Sequence, residues 1–200
     1  MKTTAPVLTP FLKKSVLRGL SLPFLLGLMA CAGVSKVTSP QGEGIGRADL
    51  KPLNPESRVE GVVLFTPQRR GKIKVEAHVS GLKSEALHGF HIHEFGDCSD
   101  PEGLRAGGHF DPQGGQPHGG PHSAHRHLGD LGNLQSDKEG QARYKKVFHG
   151  LKFFGARGIL GRSVVVHIDP DDLKTQPAGD SGPRVACGVI GWTQLDEEKE

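Results

Sequence analysis

Apolar and polar residues alternate along most of this chain with a period of two. Residues 59–65 form an apolar run (Val59, Val62, Val63, Leu64, Phe65), which Pro67, Gln68, Arg69, Arg70 and Gly71 break. Residues 72–79 alternate, with Ile73, Val75, Ala77 and Val79 on one side, until Gly81 ends the pattern. Within 87–97, Phe90 and Ile92 interleave with His91 and His93. In an extended segment the two apolar side chains then share one face and the two imidazoles the other. A turn at Asp137, Lys138, Glu139 and Gly140 precedes another strand pattern at 142–148. The run Val164, Val165, Val166 ends on His167, and a last apolar run covers 185–192. Short segments of this kind, separated by turn residues, predict an all-β sandwich or barrel. No segment carries the spacing of an amphipathic helix, and none repeats another. Two stretches interrupt the strands. Residues 96–130 are dominated by Gly, Pro, Asp and His, and 168–183 are polar as well. Both read as loops, and a loop as long as the first is usually functional or disordered.

The first 46 residues follow a different pattern. Lys2, Lys13, Lys14 and Arg18 stand in residues 1–30 without an acidic residue, and 19–30 are apolar but too short to span a bilayer. The stretch ends at Leu28, Met29, Ala30 and Cys31, which resembles a bacterial lipoprotein signal in which Cys31 takes the lipid. Residues 31–46 lack periodicity and are rich in Ser, Gly, Pro and Lys, so they read as a flexible tether. The expected organisation is a signal peptide over 1–30, the tether over 31–46, one domain over 47–195 and a charged tail over 196–200. It implies export to the periplasmic side of a bacterial cell envelope, with membrane contact through the N-terminal lipid only. The formal charge of +3 is smaller than the leader's four cations, so the remainder is net negative and offers no case for a nucleic-acid partner. With Cys31 acylated, Cys98 and Cys187 remain as an even pair in an oxidising compartment, where disulfides persist.

Against this frame the histidines gain meaning. His91 and His93, two apart on a rigid strand, are a starting point for a metal site. His109 in GGHF, His118 in HGGP, His127 and Asp130 in RHLGD, and His167 could join them. Imidazole suits copper and zinc, and a carboxylate completes many tetrahedral zinc sites. Seven such groups exceed one four-coordinate ion and fall one short of two, so one group would have to bridge. A deprotonated imidazole can do so, with a nitrogen for each metal. His122 and His125 lie between His118 and His127 and are expected to be solvated. His88 is expected to be a hydrogen-bonded structural residue, and His78 and His149 to be exposed.

These residues, in this order, resemble the copper/zinc superoxide dismutases. GFHIHEFGD, GGHF, HGGP, RHLGDLGN, GRSVVVH, DDL and GPRVACGVIG all appear in family order over about residues 50–194. The resemblance implies a Greek-key β-sandwich, or flattened barrel, with two long functional loops. It also implies an antioxidant oxidoreductase that disproportionates superoxide to dioxygen and hydrogen peroxide. Copper would be held by His91, His93, His109 and His167, and zinc by His109, His118, His127 and Asp130, with His109 as the bridge. Copper would cycle between two oxidation states while His109 donates a proton, and Arg184 would attract and orient the anion. Cys98 would pair with Cys187, and Asp171 would link a copper-ligand histidine to a zinc-ligand histidine.

The sequence departs from the family in the 168–183 loop, which is shorter than in the eukaryotic enzymes. It carries Asp169, Asp171, Asp172, Lys174 and Asp180 in place of their steering cluster, an acidity expected to slow an arriving anion. Phe95-Gly96-Asp97 and Val189-Ile190-Gly191 resemble the eukaryote-type dimer surface, so a homodimer is expected. The rival reading is a sandwich that stores copper and zinc without turnover. Such a protein would need neither a bridging His109 nor the Arg184 guanidinium.

Overall fold

Nine antiparallel strands account for the period-two patterning in a computed structural model that describes residues 44–194. They are β1 (Gly44–Pro52), β2 (Glu60–Gln68), β3 (Lys72–Ser80), β4 (Leu87–His93), β5 (Asp130–Gln135), β6 (Ala142–Phe148), β7 (Ser163–His167), β8 (Arg184–Val189) and β9 (Gly191–Gln194). Among the described residues the only helical pieces are single 3-10 turns at Arg69–Gly71 and Leu104–Ala106. The expected signal peptide over 1–30, the expected lipidation site Cys31, most of the expected tether and the C-terminal tail lie outside the described residues.

The strands run in the order β5-β4-β7-β8-β1-β2-β3-β6, with β9 added on β1. A Ser136–Ala142 bridge joins the two ends, so the sheet wraps into a nearly closed barrel. The connections β3→β4 and β6→β7 cross over, which gives the Greek-key pattern. β1 holds the two halves together. Gly44–Arg47 pair with β9, whereas Lys51 and Pro52 pair with β8.

The alternation decides what faces inward. Val63 and Phe65, Val75 and Ala77, Phe90 and Ile92, and Val164 and Val166 fill one core with Leu50, Leu131, Leu134 and Phe148. Each fully buried Phe, Leu or Val contributes about 1.5–3 kcal/mol by leaving water. Tyr144 meets Phe90 edge-on at 5.2 Å and donates its hydroxyl hydrogen to the Leu131 carbonyl at 2.7 Å. β4 is buried on both faces from His88 to His93: Phe90 and Ile92 face the core, and loops cover the other side.

Two expectations about elements changed. β1 and β5 were not marked by the hydrophobic pattern; β1 interleaves Gly44, Gly46, Arg47 and Asp49 with its apolar residues, and β5 begins within the motif that ends the 96–130 loop. The run 185–192 is two strands, broken at Ile190, because β8 pairs with β7 and β9 with β1.

Candidate metal centre

The sheet is irregular where the candidate ligands sit. The β4–β5 register shifts between Phe90 and His91, opposite Asp130, and the β7–β8 register shifts between Val166 and His167, opposite Arg184. Bulges re-aim side chains, and these two turn His91, Asp130, His167 and Arg184 toward one region. The 96–130 loop supplies the rest. His109 bridges to His93 at the end of β4, while Gly129 N–H donates to the Phe110 carbonyl, Phe110 N–H to that of Ile92 and Ile92 N–H to that of Gly129. The Cys98–Cys187 disulfide ties the start of this loop to β8.

Two overlapping donor sets result. His91, His93, His109 and His167 bring one ligand atom each to within 4.8 Å of one another, and so do His109, His118, His127 and Asp130. His109 belongs to both. His91 and His109 stack at 3.9 Å between ring centroids.

The hydrogen bonds fix which nitrogen each ring presents. His93 Nδ1–H donates to the Gly107 carbonyl at 3.0 Å, and His167 Nδ1–H donates to the Gly182 carbonyl at 2.9 Å. His91 and His118 each give an Nε2–H to Asp171, at 2.9 and 2.8 Å, and His109 Nδ1 lies 2.8 Å from an oxygen of Asp130, its neighbour in the second donor set. The other ring nitrogen of each, His91 Nδ1, His93 Nε2, His109 Nε2, His118 Nδ1 and His167 Nε2, is buried without a hydrogen-bond partner. His118 Nδ1 does lie 3.2 Å from an Asp130 oxygen, but without hydrogen-bond alignment. A buried nitrogen left unsatisfied costs about 1–3 kcal/mol. Four of them, on His91, His93, His109 and His167, converge with lone pairs free, which is what a metal-binding centre presents. Four imidazoles suit copper, and three imidazoles with a carboxylate suit zinc.

The electrostatics agree. Desolvation holds His93 neutral well below the ordinary imidazole range, aided by His109, His167 and the Arg184 charge. Burial lowers His167 to about 3 and His109 to about 4. His118 goes the other way. Burial would lower it, but the Asp130 carboxylate beside it and the hydrogen bond to Asp171 raise it to about 9. Burial would likewise raise both carboxyls, yet His109, His118 and His127 gathered around it hold Asp130 far below the carboxylate range, and bonds from His118 and His91 lower Asp171.

Around this centre, Arg184 reaches from β8 to the Gly103 carbonyl and, at 2.7 Å, to the Gly107 carbonyl. His88 is buried and donates Nδ1–H to the His167 carbonyl at 3.0 Å, and His78, His122, His125 and His149 are exposed, as expected. Sequence reasoning missed two amides. Asn133 makes a reciprocal pair with the Asp171 backbone, at 2.8 and 2.7 Å, and Gln176 makes one with the His118 backbone, at 2.6 and 3.0 Å. Asn133 lies in a quoted motif without an assigned role, and Gln176 lies in a loop that carries no pattern. Gly179 closes the same corner at φ +67°, where a Cβ would overlap Asp171 Oδ1 and sit 2.6 Å from His118 Nε2.

The profile of the copper/zinc superoxide dismutase (SODC) family matches residues 59–190. A Cu-Zn superoxide dismutase of Paramecium bursaria Chlorella virus 1 is 42% identical over 145 residues, covering 70% of this chain and 76% of that one. Another, from Brassica juncea, is also 42% identical over 145 residues, covering 70% and 93%. The Cu-Zn superoxide dismutase of Deinococcus radiodurans is 41% identical over 175 residues, covering 82% and 90%. Among solved structures, that of the clock protein EA4 superposes with a TM-score of 0.66 at 36% identity, covering 75% of this chain and 94% of that one. With its donor sets and its strand order, the chain belongs to the copper/zinc superoxide dismutase family, a family of oxidoreductases that use both metals.

Proposed function

We propose that this protein converts two superoxide anions and two protons into one dioxygen and one hydrogen peroxide. Copper is held by His91, His93, His109 and His167, and zinc by His109, His118, His127 and Asp130. The observation that carries the reading is His109, whose ring serves both donor sets. A metal-storage protein has no need of a shared ligand. Copper supplies a one-electron couple that zinc lacks. The chain's own residues do the rest. Arg184 keeps its charge and, held by the Gly103 and Gly107 carbonyls, offers its remaining N–H groups to a small anion. His109 Nε2, buried and without a protein partner, is the atom that holds a proton and gives it to the departing peroxide. Asp171 fixes the tautomers of His91 and His118, so both present Nδ1.

The test is superoxide disproportionation by the purified, metal-loaded protein, followed by fast optical mixing. The expected rate lies near the diffusional range, about 10⁸–10⁹ M⁻¹s⁻¹. Arg184→Glu should lower it more than tenfold at unchanged metal content. Full metal loading without turnover above background would favour the storage protein instead.

The same reading sets the enzyme in a bacterial cell envelope, on the periplasmic side, held by lipid on Cys31. Its support is the basic, then apolar leader ending at Cys31. Labelled palmitate should enter the chain and be lost in Cys31→Ala. For a homodimer, the support is the exposed pair Phe95 and Val189 beside the half-buried Gly96, where a Cβ on Gly96 would lie 3.0 Å from Val189. Sedimentation of the wild type and of Phe95→Glu checks it.

A further inference from the structure

Aromatic and cationic side chains form one continuous patch at the end of the barrel where β1 begins. Gly44 pairs with Gln194 and Gly46 with Trp192, and a Cβ on Gly44 would overlap the Trp192 indole. Phe153 packs edge-on against Trp192 at 5.0 Å, and Phe154 lies 5.8 Å from it. Phe154 is 65% exposed and Trp192 39%. Lys152, next along the same loop, brings Nζ to 2.9 Å from a Cβ built on Gly71, beside Arg69 and Arg70 in the β2–β3 turn. All three cations are exposed, and none makes an ion pair among the described residues.

We propose that this end of the barrel rests on an anionic lipid surface. Phe154 and Trp192 enter the headgroup layer, and Arg69, Arg70 and Lys152 pair with lipid phosphates. The proposal builds on the lipid anchor at Cys31. Residues 32–43 separate that cysteine from Gly44, so the start of β1, where the patch lies, is tethered within at most about 45 Å of the anchor. Indole rings with a polar N–H favour the bilayer interface, and basic side chains near it are attracted to anionic headgroups. The patch lies on β9, the start of β1, the β2–β3 turn and residues 152–154 of the β6–β7 loop, whereas His91, His93 and His167 lie on β4 and β7, so docking leaves the metal centre uncovered. The competing occupant is the acidic segment 195–200, Leu-Asp-Glu-Glu-Lys-Glu, which follows Gln194. It could pair with the cations, but its one apolar residue, Leu195, gives little to cover two aromatic rings.

Trp192 is the chain's only tryptophan and reports directly on the patch. The lipidated, full mature chain is reconstituted into phosphatidylcholine–phosphatidylglycerol vesicles containing brominated lipid. The expected result is a blue-shifted Trp192 emission, quenched by the bromines and protected from aqueous iodide. Each of Arg69→Gln, Arg70→Gln and Lys152→Gln should lower the docked-to-undocked ratio roughly fivefold, and added salt should lower it further. Vesicles that float with the protein while Trp192 stays unquenched and open to iodide overturn the docking and leave the anchor standing. Chain that fails to float from native membranes, with Cys31 unlabelled by palmitate, overturns the anchor and the docking together.

Discussion

The Asp171 carboxylate divides its two oxygens between His91 Nε2 and His118 Nε2, one histidine from each donor set. It is buried, and the bonds it accepts hold it ionised. An amide of the same shape would turn an NH2 toward one of these ring N–H groups. Asp171→Asn is therefore expected to weaken metal binding by about 10–100-fold, measured by chelator competition, with the circular dichroism of the strands unchanged. Arg184 is different in kind, since its bonds go to backbone carbonyls and its substitution should alter turnover without emptying the site. Asp171 and the histidines were legible in the sequence because each sits in an ordered motif. Gln176 was not, because its partner is the backbone of a residue 58 positions away.

At the scale of elements, the 168–183 loop is stitched to its neighbours by side-chain amides. Asn133 on β5 holds the Asp171 backbone, and Gln176 holds the His118 backbone. Gln176→Ala should speed zinc loss to a chelator about tenfold while copper retention stays unchanged. Gln176→Glu keeps the acceptor for His118 N–H and should recover part of the difference. The disulfide has a comparable role on the other side. It closes a sequence separation of 89 residues and anchors the segment whose Gly103 and Gly107 carbonyls receive Arg184. Cys98→Ser/Cys187→Ser should cost about 2–5 kcal/mol in urea unfolding. Both loops were readable as polar and functional, but composition could not show which strand edge each would cover.

For the molecule as a whole, the centre makes the metal-free protein sensitive to pH in both directions. His93, His109 and His167 titrate lower in the fold than in an unfolded chain, whose imidazoles ionise near 6.5. The unfolded state then binds more protons below 6.5, and stability falls as the pH drops toward 4. His118, raised to about 9, contributes stability that is present below 6.5 and lost as the pH rises through 9. The metal-free protein should thus be most stable near about pH 6.5, and its urea midpoint should fall on either side. A midpoint flat across this range would contradict the account. Metal loading should raise the midpoint throughout, because the ion binds only the folded donor set.

Local pattern was enough for the all-β class, the apolar runs of β2 and β7, the inward face of β3 and the chemistry of the histidines. Period-two alternation and ligand types are local properties, written within a few residues. Tertiary structure decided the rest. β1 is a strand because β2, β8 and β9 satisfy its backbone, although Gly46, Arg47 and Asp49 break its apolar pattern. His109 is shared between two donor sets only because bulges at His91 and His167 and a loop closed at Cys98 bring distant segments together. The patch at Gly44 exists because β9 returns beside the start of β1, a pairing of residues nearly the whole described chain apart that no local pattern encodes.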